Sequence, residues 1–186
     1  ILITVSNPAD IISYYLWKAT GLAREQVIGF GGQLDSARFS CELASRGFYS
    51  PGTILGEHGE HQVPVFSTLA SPVPGNDRDE ILATLRGASM EIIKGKGATE
   101  YAPVWHITRL ISTIVQDQKM VLPCSCVLDG EYEYANCSLG VPAIIGKDGV
   151  NRIEEWNLDS WEKSLMDTAA SFTTDLCRRF TGAVSP

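Results

Sequence analysis

The chain starts with ILITV, residues 1–5, a run of apolar and β-branched side chains with no polar alternation. A strand with one wet face alternates with period two, so an unbroken run predicts a strand covered on both faces, as in a parallel sheet. Such a strand needs neighbours, and one placed at the first residue is expected to have lost some of them. A helix follows it. PADIISYYLWKAT, residues 8–20, has Pro8 in its first turn, Asp10 near its N-terminus and Gly21 just past its end, which is helix punctuation.

Further on the pattern changes. Residues 33–46 read as a second helix ended by Gly47, and residues 52–68 as two short extended segments around a glycine-bracketed loop. Helices are predicted over 77–94 and 101–118, separated by the glycines of GKGAT, and in the second Val104, Ile107, Leu110, Ile111 and Ile114 form one stripe assigned to the core. Strands are predicted over 120–128, 138–145 and 152–156, joined by the turns LDGEYE and GKDG. A last helix, about 159–180, carries Asp159 and Glu162 in its first turn and Arg178 and Arg179 in its last, matching the helix dipole. One parallel-type strand–helix piece followed by mixed helices and antiparallel strands makes an α+β fold.

Charge narrows the function classes. Fifteen basic against 22 acidic residues give a net charge of −7, with no basic cluster longer than Arg178-Arg179, so no nucleic-acid footprint is present. No apolar run approaches the roughly 18 residues that span a bilayer, and the N-terminus lacks the basic flank of a signal peptide; no membrane partner and a cytoplasmic location are expected. The five cysteines form neither a secreted framework nor a CxxC knuckle, and their expected role is that of small buried apolar residues. Cys124 and Cys126, two apart in a strand, share a face and form a candidate ligand pair.

Three segments hold the chemistry. VSNPAD, residues 5–10, follows the first strand at its carboxyl end, where open α/β sheets take ligands, or it merely starts a helix. In LDSARF, Asp35 and Arg38 lie three apart on one helix face, the spacing of an ordinary surface ion pair. In GEHGEH, residues 56–61, Gly56 and Gly59 flank His58 in a tight loop with His61 three residues on. A solvated loop histidine, a catalytic base and a metal ligand all fit that spacing, although the helical HExxH arrangement is missing.

Together VSNPAD, IGFGGQLDSARF and GEHGEHQVPVFS resemble the NAD-dependent lactate/malate dehydrogenases in order and interval. The likeness continues through KGATEYAPV, VLPCSCVLDGEYE, LGVPAIIGKDGV and EEWNLDSWEKSLM, most closely to the lactate-dehydrogenase-like malate dehydrogenases of archaea. The resemblance implies that His58 is the acid/base and Asp35 its partner, with Arg38 clamping the substrate carboxylate rather than pairing with Asp35. It also implies that Asn7 contacts substrate and nicotinamide, that Val5, Ser6 and His58 line the cofactor, that Pro8 follows a cis bond, and that Thr99 lines the pocket. Residues 1–31 are then the terminal strand and helix of a truncated dinucleotide-binding domain, and 32–186 a catalytic and oligomerisation domain.

The implied function is hydride transfer between NAD or NADP and a small 2-hydroxy/2-oxo acid, malate ahead of L-lactate, in a homodimer or homotetramer without a metal. Two rivals of other classes are a zinc-dependent hydrolase at the GEHGEH loop and a non-catalytic interaction domain. GFGG, residues 29–32, lacks the context of a dinucleotide fingerprint.

Overall fold

Twelve regular elements alternate along the chain in a computed structural model, which describes residues 1–97 and 99–182; Ala98, in the KGATE segment, and residues 183–186 of the second predicted domain lie outside them. Strand β1 (Leu2–Thr4) leads into α1 (Ala9–Thr20), β2 (Val27–Gly29) and α2 (Gly32–Ser45). The hairpin of β3 (Thr53–Gly56) and β4 (Gln62–Val65) brackets the histidine loop, and α3 (Gly75–Lys96) and α4 (Tyr101–Val115) follow. Strands β5 (Met120–Asp129), β6 (Ala135–Gly146) and β7 (Gly149–Ile153) precede the last helix, α5 (Ser160–Gly182).

The strands form one seven-stranded sheet in the order β1-β2-β5-β6-β3-β4, with β7 also on β6. Among the described residues only β1 and β2 pair in parallel; the remaining pairings are antiparallel. The β5–β6 ladder is its backbone. On one face Leu122, Cys124 and Cys126 stand opposite Ala143, Val141 and Leu139, all buried. On the other face Ser125 and Val127 meet α1. Cys124 and Cys126 do share a face, but the Cys124 sulfur accepts a hydrogen bond from Gln33 Nε2 at 3.0 Å, and among the described residues no group of three or more His, Cys, Asp and Glu could hold a metal.

Several expectations are corrected. Strand β1, expected to be covered on both faces, is a sheet edge on β2 with Leu2 and Ile3 half-buried and Thr4 buried, and the flanking Ile1 and Val5 are about half exposed. Strand β2, absent from the sequence reading, is only three residues long, too short to show a period. The α4 stripe is not wholly core: Leu110 is buried and Ile107 and Ile114 pack partly against it, whereas Val104 and Ile111 are exposed, because no neighbouring element lies over that side of the helix among the described residues. Cys41 is likewise exposed on α2, unlike the other four cysteines. Strand β7 starts at Gly149, before the expected 152, since the turn is the tight pair Lys147-Asp148. No helix among the described residues is long and apolar enough to cross a membrane.

Candidate active site

The loop that carries His58 is shaped by glycine. Strand β3 ends at Gly56 with a φ of 83°, in the left-handed region that a side chain disfavours, and the chain returns as β4 at Gln62. This puts His58 over the start of α2. Gly31, at the helix N-terminus with a φ of 154°, has no room for a side chain: an added Cβ would come within 2.4 Å of His58 Cγ. Of the glycines of GFGG, Gly31 therefore serves close packing under an imidazole, while a side chain at Gly29 would meet Ser125 and Ser13 and one at Gly32 the Pro123 carbonyl.

Helix α2 presents Asp35 one turn in, with its side chain 1% exposed. Its Oδ2 lies 2.5 Å from His58 Nδ1, and its Oδ1 accepts a hydrogen bond from Arg38 Nη1 at 3.1 Å. Asp35 and Arg38 are thus paired after all, contrary to the expectation that they face apart; the carboxylate has two oxygens and serves both partners. A carboxylate this buried needs such partners. Because ionised Asp35 can only accept, His58 Nδ1 must be the donor, which leaves the Nε2 lone pair facing away from the dyad. Burial opposes the imidazolium, but the hydrogen bond and charge of Asp35, with the charge of Asp10 behind them, outweigh burial and the repulsion of Arg38, so His58 is held above the ordinary histidine value.

The other sequence candidates lie on separate segments. Val5, Ser6 and Asn7 are exposed on the segment after β1, and the Asn7–Pro8 bond is cis. Thr99 lines a mostly apolar cavity of about 540 Å³ together with Arg38, Leu34 and Leu85. His58 lines a different, very small cavity of about 10 Å³ with Asp10, Asp35 and Ser125. Asp35, and not a shared cavity, joins Arg38 to His58. His61 points elsewhere: Glu57 Oε2 accepts its backbone N–H at 3.0 Å, and its ring stacks on Phe172 of α5 at 4.2 Å between centroids.

Asp10 is the residue that sequence reasoning missed. Its Oδ2 accepts the backbone N–H of His58 at 2.8 Å, and its Oδ1 the Ser125 hydroxyl at 2.5 Å. In sequence it reads as an ordinary acid at a helix start; the available signal was Ser125, a polar residue inside the buried run PCSCV.

Sheet, helices and histidine–carboxylate dyad together define the C-terminal α/β domain class of the dehydrogenases. Residues 32–176 match the family described as lactate/malate dehydrogenase, alpha/beta C-terminal domain, and the chain belongs to that family. It is 44% identical over 183 residues to the malate dehydrogenase of Natronomonas pharaonis, covering 93% of this chain and 60% of that protein. It is 37% identical over 174 residues to the L-lactate dehydrogenase of Halalkalibacterium halodurans, covering 88% and 56%. The solved malate dehydrogenase of Archaeoglobus fulgidus in complex with NADH superposes with a TM-score of 0.87 at 31% identity, over 96% of this chain and 61% of that one. The chain therefore spans about 60% of the length of the curated relatives it matches.

Proposed function

We propose that this chain is the catalytic part of an NAD-dependent malate dehydrogenase, with His58 as acid/base, Asp35 as its partner and Arg38 as the carboxylate clamp. The observation that carries this reading is the 2.5 Å contact of His58 Nδ1 with a buried Asp35 that also binds Arg38. Malate is favoured over L-lactate by the higher identity to the malate enzyme, 44% against 37%. The zinc-hydrolase reading has no support, since His61 is turned to Phe172 and among the described residues no group of three or more His, Cys, Asp and Glu could hold a metal.

Oxidising a 2-hydroxy acid removes a proton from oxygen and a hydride from carbon. His58 Nε2 takes the hydroxyl proton, and Asp35 fixes the ring and stabilises the imidazolium that results. Arg38 has Nε and Nη2 left to grip the substrate carboxylate, a fork that a lysine does not offer. Thr99, beside Arg38 in the larger cavity, lines the substrate's path. In the reverse direction protonated His58 returns the proton to the forming hydroxyl.

Residues of this chain fit a nicotinamide nucleotide at the carboxyl end of β1. Val5, Ser6 and Asn7 are exposed there after a parallel strand, and the buried Thr4 hydroxyl has no hydrogen-bond partner. When bound, the nicotinamide supplies the hydride acceptor. NAD rather than NADP is inferred from the NADH-bound relative. Residues 1–31 are assigned to a nucleotide-binding domain and 32–186 to the catalytic and oligomerisation domain, in a cytoplasmic homodimer or homotetramer. Replacing His58 with Gln in the full-length protein should lower malate oxidation by about 10²–10⁴ with saturation by malate little changed; a near-normal turnover would remove His58 from the chemistry.

A further inference from the structure

Asp10 is 1% exposed in the first turn of α1, and both of its oxygens are committed to other segments of the chain. One holds the His58 backbone N–H and the other the Ser125 hydroxyl, whose oxygen lies 2.9 Å from the Ser138 hydroxyl on β6. Among the described residues no lysine or arginine pairs with it. A loop tether alone would not require an ionisable group, because an asparagine oxygen also accepts an N–H and costs far less to take out of water than a carboxylate. A buried carboxylate without a cation beside it therefore calls for another reason.

We propose that Asp10 is a positioning residue for His58: it anchors the histidine loop through the backbone and supplies, with Asp35, the second negative charge that favours the imidazolium. This deepens the reading of His58 as acid/base and rests on it for its catalytic consequence. The surroundings of Asp10 leave His58 as the cation it serves. From the histidine loop it faces Glu57 and His58; through His58 it meets Asp35 and Arg38 of α2. From β5 and β6 come the Ser125 and Ser138 hydroxyls and the thiols of Cys126 and Cys137, and from α5 that of Cys177, all three thiols held neutral by burial. Glu57 is a like charge, so it cannot balance Asp10.

The two serines make the charge removable without opening the loop. Burial pushes Asp10 up to about 6, against the hydrogen bonds from Ser125 and His58 N–H that favour the carboxylate. On protonation the short Asp10–Ser125 bond can reverse its donor, with Ser125 then donating to Ser138. The Oδ2 bond to His58 N–H survives that exchange while the charge facing the imidazole disappears. In acid, His58 thus becomes a weaker base without leaving its place.

The test is a pH titration of the full-length protein labelled with [13Cε1]histidine, His58 being assigned by its loss from the His58→Gln spectrum. In Asp10→Asn, which is isosteric and uncharged, the His58 midpoint is expected to move to lower pH, with the acidic limb of malate oxidation and the alkaline limb of the reverse reaction moving the same way. A folded Asp10→Asn protein with an unmoved His58 midpoint would overturn the proposal. If that variant does not fold, Ser125→Ala replaces it: losing the hydroxyl disfavours the carboxylate, so the same downward movement is expected, and an unmoved midpoint again overturns the proposal. A shifted midpoint with unshifted rate profiles supports Asp10 as partner of His58 while refuting the assignment of His58 as the acid/base.

Discussion

Two buried carboxylates approach His58, and their surroundings set them apart. Asp35 touches the ring and has Arg38 on its other oxygen; Asp10 touches the backbone and is otherwise surrounded by hydroxyls, thiols and another acid. The consequence for stability has a definite sign. Asp10 is raised from 3.8 to about 6, so between about pH 4 and 6 the folded chain binds this proton more readily than the unfolded chain does. Stability from this group accordingly falls as pH rises through that window, by about 3 kcal/mol in full. His58, also raised, works in the same direction: its contribution is complete below its unfolded value and is lost as pH rises through its folded one. Urea unfolding of wild type and Asp10→Asn should therefore diverge with pH, the wild type losing about 2–3 kcal/mol relative to the variant between about pH 4 and 7. A difference constant with pH would exclude the buried titration. At this scale Asp35 and His58 were legible as candidates through the resemblance of their two motifs to the dehydrogenases, which implied a pairing across 23 residues that local spacing does not show. Asp10 was not, since its partners at 58 and 125 are 48 and 115 residues away.

Among the elements, the start of α5 grips the end of the histidine hairpin. Asp159 caps the helix, its Oδ1 accepting the N–H groups of Trp161 and Glu162, while Glu162 Oε2 accepts the Asp159 N–H, a reciprocal capping box. Glu162 also reaches the end of β4, taking the backbone N–H groups of Phe66 and Ser67 and the Ser67 hydroxyl, each at 2.7 Å. It is fully buried. Truncation to Ala would strand those donors, and at about 1–3 kcal/mol for an unsatisfied buried group the loss should reach about 3–5 kcal/mol, read as a lower urea midpoint. A loss below about 1 kcal/mol would show that water replaces the carboxylate without penalty. The capping acids were visible in sequence as dipole-matching charges; the grip on β4 was not, because nothing local links residue 162 to 66. Helix α4 is the opposite case. Its period was read correctly and its environment was not, because periodicity reports which side chains share a face and not what covers that face.

For the whole molecule, one continuous sheet sets where the site lies. Strands β1 and β2 join it at Gly29–Ser125, the pairing that also brings Ser125 beneath Asp10. The exposed apolar residues Val104, Trp105, Ile111 and Val115 lie along α4, whose first turn borders the Arg38 cavity. If these residues serve subunit contacts in the proposed homodimer or homotetramer, Ile111→Glu should lower the mass of the full-length protein in sedimentation velocity, because a charge in a buried interface is costly; an unchanged mass would place α4 outside the contact. The amino-acid sequence by itself determined the kinds and order of nearly all the elements, through apolar period, proline and glycine placement and charged helix ends, since these act over a few residues. The tertiary structure alone decided that Asp10 holds His58, that Asp35 serves both His58 and Arg38, and that one side of α4 is left uncovered. Those outcomes depend on packing between segments far apart in the chain, where the energy of burying a charge or a methyl is set by neighbours that no local pattern names.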